Sequence, residues 1–163
     1  MDPAPAADVR HQAAARLERD FAELWGVLQA AAAVSVRDAR RGQAAKTAAA
    51  YLAARGRLAI AAFDDLEQGR RPVLFGIRDE GLRAMAPYAT IELPLDAVLR
   101  WLKAVHERLV ERVRASDPAW WEEGRAPLGA DGLAAALGVG AEGVTMYAAA
   151  AAELRRQVAD AAS

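Results

Sequence analysis

The chain has no cysteine, and only Lys46 and Lys103 among its 21 basic residues are lysines. Without cysteine there can be no disulfide, thiol nucleophile or cysteine-ligated zinc. A thiol-free chain fits a reducing compartment. Long apolar runs are missing as well, since no uncharged stretch reaches the roughly 20 residues needed to cross a bilayer. The opening Met1-Asp2-Pro3-Ala4-Pro5 carries an acid where a secretory signal carries bases. The expectation is a cytoplasmic protein with no membrane partner.

Catalytic and cofactor signatures are equally scarce. The two histidines, His11 and His106, stand alone and read as surface residues, because carboxylate-bridged metal sites in bundles need paired Glu-x-x-His elements. No metal is expected. The serines have no Gly-x-Ser-x-Gly context. Gly138-x-Gly140-x-x-Gly143 has dinucleotide-loop spacing, but a helix precedes it where a strand is required. No cofactor is expected, and nothing points to an enzyme.

What the sequence does contain is alanine, about a quarter of its 163 residues. Alanine is the best helix former but buries little surface, so 54% hydrophobic content overstates the core. The larger apolar groups recur at helical spacing. Leu17, Phe21, Leu24 and Leu28 form one stripe on a helix from about Asp8, its expected cap, to Ala33. A second helix fits Gln43 to Gln68, after a break at Gly42. Its stripe is Ala45, Ala48, Leu52, Gly56, Ala59, Phe63 and Leu66, and the small groups would let another helix approach closely. They would also suit a homodimer. Asp96 is the expected cap of the clearest helix, Ala97 to Ala115, with Val98, Leu102, Val105, Leu109 and Val113 as its stripe. Between these helices lies a short helix, Asp79–Ala86. The β-branched and aromatic residues of 73–77 and 88–93 flank it as strands of a small hairpin or as extended connectors.

The predicted fold is therefore mainly all-α. Residues 1–7 form a tail, and 8–115 a bundle of three long helices with a short helix and extended insertion. Residues 116–130 form a linker, and 131–160 a C-terminal helical hairpin packed on the bundle.

In the hairpin, Ala134 lies within a first short helix, Gly138 permits a tight turn, and Val144 and Tyr147 fill the space between helices. Arg155 and Arg156 follow. On these residues the segment 133–156 resembles the helix-turn-helix of bacterial regulators, including the terminal DNA-binding module of sigma factors. The resemblance implies DNA contacts from Thr145, Arg155 and Arg156. However, the positions that would face a groove are Gly140, Ala141, Glu142, Thr145, Met146 and Ala149. Base reading and phosphate binding call for Arg, Lys, Asn or Gln there.

Charge is unevenly spread. Residues 37–83 hold ten bases against six acids, a net of +4, between flanks of −2 and −3. The basic middle either neutralises those flanks within one fold or meets an acidic partner. Its candidate partner-binding residues are Arg40 and Arg41 at one end of the second helix and Arg70 and Arg71 at the other. Trp120 and Trp121 are further candidates, since aromatics in loops are enriched at interfaces.

The leading expectation is thus a non-enzymatic protein–protein interaction or assembly protein that binds a protein or a second copy of itself. A DNA-binding regulator and a helical small-ligand binder or enzyme with an unrecognised pocket stand as alternatives.

Overall fold

The computed structural model describes residues 6–121 and 145–160. Among these, five helices account for nearly all regular structure and no strand occurs: α1 Ala6–Val34, α2 Ala39–Glu67, α3 Asp79–Ala89, α4 Leu95–Ala115 and α5 Met146–Asp160. Short 3-10 turns cover Val73–Gly76 and Pro118–Trp121. No helix is long and apolar enough to cross a membrane among the described residues.

The stripes read from the sequence face inward. Leu17, Phe21, Leu24 and Leu28 of α1 are buried, as are Val98, Leu102, Val105, Leu109 and Val113 of α4. The most extensive contact joins α2 to α4, and α1 packs on α2, α4 and α5. Alanine dictates how α2 meets α4. A buried leucine contributes roughly 1.5–3 kcal/mol and an alanine far less, so an alanine-rich face must approach its neighbour closely to gain comparable contact. Ala45, Ala49, Ala53 and Ala59 are buried along α2. At Gly56, a Cβ would stand 2.6 Å from Cγ1 of Val105. The small-residue stripe is thus consumed within one chain, which removes Ala45, Gly56 and Ala59 from any contact between copies.

Helix ends differ from the expected ones by a few residues. α1 begins at Ala6, two residues ahead of the expected Asp8. The second helix starts at Ala39, four residues early, because Asp38 caps it by accepting from the Arg41 N–H at 3.1 Å. Gly42 therefore sits in the first turn of α2 and breaks nothing. At the other end Gly69 has φ 68°, and the N–H groups of Gly69 and Arg70 reach the carbonyls of Leu66 and Asp65. This is a Schellman stop, which favours glycine for its positive φ. Asp96 is the second residue of α4, two beyond the capping position taken by Pro94, and pairs with Arg100.

The suggested strands are also corrected. Residues 73–76 form a 3-10 turn, while Tyr88 and Ala89 extend α3 past Pro87. Asp79 at the start of α3 bonds Tyr51 and Arg55, and Lys46 holds the Ile91 carbonyl just beyond its end. With α2 already beside it as a helix, the segment has no strand to pair with, and α3 runs antiparallel along α2.

Gly56→Ala tests the close approach. Helix propensity favours alanine by about 1 kcal/mol, whereas crowding a stiff β-branched neighbour costs about 1–3 kcal/mol. A net loss of about 1 kcal/mol is expected from urea unfolding, and that loss should vanish when both variants carry Val105→Ala. A stabilised Gly56→Ala would mean the helices are further apart.

Candidate functional site

A groove of about 720 Å³ runs between α2, α3 and α5. Its floor is one face of α2: Arg40, Gln43, Ala44, Thr47, Ala48 and Tyr51. These recur at the three- and four-residue steps of a single helical stripe and span about 16 Å at 1.5 Å per residue. Ala149, Ala150, Glu153, Leu154, Arg156 and Gln157 of α5 form one wall, and Arg83 of α3 stands opposite. Ala44 and Ala48 are the small apolar groups of that floor, Arg40, Arg83 and Arg156 bring three cations, and Glu153 is the only acid among the lining residues.

Each arginine is placed differently. Arg83 lies over the Tyr51 ring, 4.2 Å from its centroid, while its Nε donates to Asp79 at 2.8 Å. Asp79 also accepts from the Tyr51 hydroxyl and from Arg55, so one carboxylate ties α3 to α2. Burial pushes the Asp79 carboxyl upward, but the Tyr51 hydroxyl, Arg83 and Arg55 together outweigh it and hold it below the usual carboxylate range. Burial and the Asp79 bond raise the Tyr51 hydroxyl. Arg156 leans on Glu153 within α5. Arg40 makes no ion pair among the described residues and stands in the first turn of α2, which holds no acid. A cation there opposes the positive end of the helix dipole, typically by 0.3–1 kcal/mol. Arg40 and the dipole thus make one end of the groove electropositive.

The structure brings together some candidate residues and separates others. Arg40 and Arg156, singled out for different functions, share the groove. Arg41 turns back onto Asp38 at 3.1 Å. Arg70 pairs with Asp65, and Arg71 is exposed beside it. The 29 residues of α2 keep both about 40 Å from Arg40, so the four arginines do not form one surface. Both tryptophans are half-buried. Trp120 stacks on Phe63 with ring centroids 6.3 Å apart, and Trp121 Nε1 donates to Ser116 Oγ at 2.9 Å.

The remaining candidates dock α5. Thr145 is fully buried; its hydroxyl donates to Asp20 at 2.8 Å and accepts the Ala148 N–H at 3.1 Å, capping the helix. Arg155 reaches Glu23 of α1 at 2.6 Å. Of the positions named for DNA, Met146 is also buried. The first helix and turn of the suggested hairpin, with Gly140, Ala141, Glu142 and Val144, lie outside the described residues.

The expectation of two surface histidines fails at His106. Its ring stacks on Phe21 at 3.7 Å, and Nδ1 lies 3.3 Å from the Tyr147 hydroxyl. It faces inward because it stands four residues after Leu102 and three before Leu109 on α4, where Phe21 of α1 and Tyr147 of α5 close over it. Burial lowers its pKa to about 4 and raises that of Tyr147. A shallow cavity beside it is lined by Glu18, Glu107, Glu111 and Arg114, and Arg114 and Glu18 are paired at 2.6 Å. No group of three or more His, Asp or Glu suited to a metal occurs among the described residues.

Arg83 and Tyr51 were missed in the sequence. The four-residue spacing of Asp79 and Arg83 was a local signal, but Tyr51 is 28 residues away and only the antiparallel path of α3 brings it there. No protein-family model, curated protein or solved structure matches the chain. The class is therefore set by fold and site alone: a mostly helical protein with an arginine-rimmed groove.

His106 fixes the sign of one pH effect. The unfolded imidazole takes a proton near pH 6.5 and the folded one only near 4. This contribution is therefore complete above about pH 6.5, declines as pH falls, and is lost by about pH 4. Thermal unfolding across this range should show that decline, and His106→Phe should remove it from the difference curve. An unchanged slope in the variant would contradict a buried neutral imidazole.

Proposed function

We propose that the protein is a non-enzymatic interaction or assembly protein whose α2–α3–α5 groove receives an amphipathic helix from a protein partner. In this reading α1, α2 and α4 are a three-helix bundle acting as a rigid frame. The insertion α3 and the outer helix of a C-terminal hairpin, α5, form the groove walls, and the workplace is the cytoplasm.

The observation that carries the reading is a groove in which Ala44, Ala48 and Tyr51 lie along about 16 Å of one α2 stripe, with Arg40, Arg83 and Arg156 of three different helices around them. Helix-in-groove recognition uses apolar anchors at i, i+3, i+4 and i+7, and the small side chains of Ala44, Ala48, Ala149 and Ala150 leave room for them. Arg40, Arg83 and Arg156 complement a helix flanked by aspartate or glutamate. Less supports a regulator that reads DNA, since Thr145 and Arg155 are engaged within the fold and Glu153 lines the same groove as Arg156.

A photo-crosslinking amino acid placed at the exposed Ala149 tests this reading in the native host, with the exposed Ala33 of α1 as control position. Ala149 should capture a peptide of helical pattern and net negative charge, and Ala33 should not. Arg40→Glu together with Arg156→Glu should cut capture by roughly tenfold, as expected for lost charge complementarity. Capture that ignores the charge reversal, or capture of nucleic acid, would overturn the reading.

A further inference from the structure

Six of the nine large apolar side chains exposed among the described residues fall within residues 73–93: Val73, Ile77, Met85, Tyr88, Ile91 and Leu93. Single exposed apolar residues are ordinary, but such concentration in one short segment is not. Two of the six, Met85 and Tyr88, are exposed because α3 is apolar on two sides. Leu82 and Ala86 turn inward, while Met85 and Tyr88 are 65% and 72% exposed. The whole outer stripe of α3 is uncharged: Gly81, Ala84, Met85, Tyr88 and Ala89, spaced at three and four residues, are all exposed. Ile91, 66% exposed, continues it. The outer faces of α1 and α4, by contrast, carry Glu18, Arg19 and Glu23, and Lys103, Glu107 and Glu111.

We propose that this face pairs with a second copy of the same chain, two α3 helices packing antiparallel about a two-fold axis near Met85. A two-fold contact sets a surface against itself, so any charge in its middle would meet a like charge. The α3 stripe has none. Its glycine and alanines leave hollows into which Met85 and Tyr88 of the other copy fit, and both residue types are enriched at interfaces. At the ends, antiparallel pairing brings Glu80 of each copy towards Lys46 of the other, whose ammonium holds Ile91. Glu92 shares that end, so this attraction is modest and the apolar stripe carries the contact. An 11-residue helix is about 16 Å long. Such a contact belongs with the smallest specific interfaces, which gives a dimer that dissociates on dilution. Because α3 also supplies Arg83 to the groove, dimerisation sets one groove on either side of the α3–α3 seam, making the assembly bivalent. The pairing itself does not depend on what the groove receives.

The absence of cysteine makes the test clean. Met85→Cys should form a disulfide-linked dimer under mild oxidation at least about tenfold faster than Val36→Cys, whose residue is 97% exposed on the α1–α2 turn. Sedimentation velocity of the unaltered chain should show a concentration-dependent monomer–dimer equilibrium. Tyr88→Glu should stay monomeric throughout with unchanged helical circular dichroism. Three results would each overturn the proposal: a chain monomeric at every concentration, equal crosslinking at both cysteines, or open-ended association in place of a dimer.

Discussion

The close approach of α2 to α4 is the constraint on which the rest of the structure depends. A chain that takes so much of its apolar content as alanine cannot build a core from bulky side chains on every helix, so it must bring backbones together. Val105 over Gly56 is where that approach is tightest. Once α4 occupies this face of α2, the opposite face is left for α3 and α5. Neither of these covers it fully, and the groove is what remains between them.

Polar contacts set the positions of those outer helices. Asp79 gathers Tyr51, Arg55 and Arg83 and so pins the start of α3. Asp20 and His106 do the same for α5 through Thr145 and Tyr147, with Arg155 on Glu23 at the surface. Exposed ion pairs contribute little stability, typically 0–1 kcal/mol each. The buried hydroxyl contacts matter more, because an unpaired buried polar group costs about 1–3 kcal/mol. The polar side chains of α5 that resemble parts of a DNA reader are largely those used to attach it.

Much of the fold was legible because periodicity is a local property. The α1 and α4 stripes, the role of Gly56 and the end of the second helix near Gln68 all follow from spacing and from what glycine permits. Misreadings fell where a non-local contact decides the outcome. The β-branched residues around α3 suggested strands, but α2 offered them a helix surface in place of a strand edge. His106 looked like a surface residue because nothing in its neighbourhood announces Phe21 or Tyr147. The groove was half legible: Arg40 and Arg156 had each been marked for their charge, while Arg83 and Tyr51 had not.

Alanine content, spacing of the large apolar residues and absence of cysteine were enough to determine an all-α chain and the inward faces of its long helices. These depend on intrinsic propensity and on burial, which act on each segment separately. Tertiary structure alone decided which charges share a surface. Arg40 of α2, Arg83 of α3 and Arg156 of α5 met around one groove, the latter two still holding Asp79 and Glu153, while Arg155 was drawn to Glu23 of α1. Which arginines meet in this way depends on distances between helices far apart in the chain, and no local pattern encodes these.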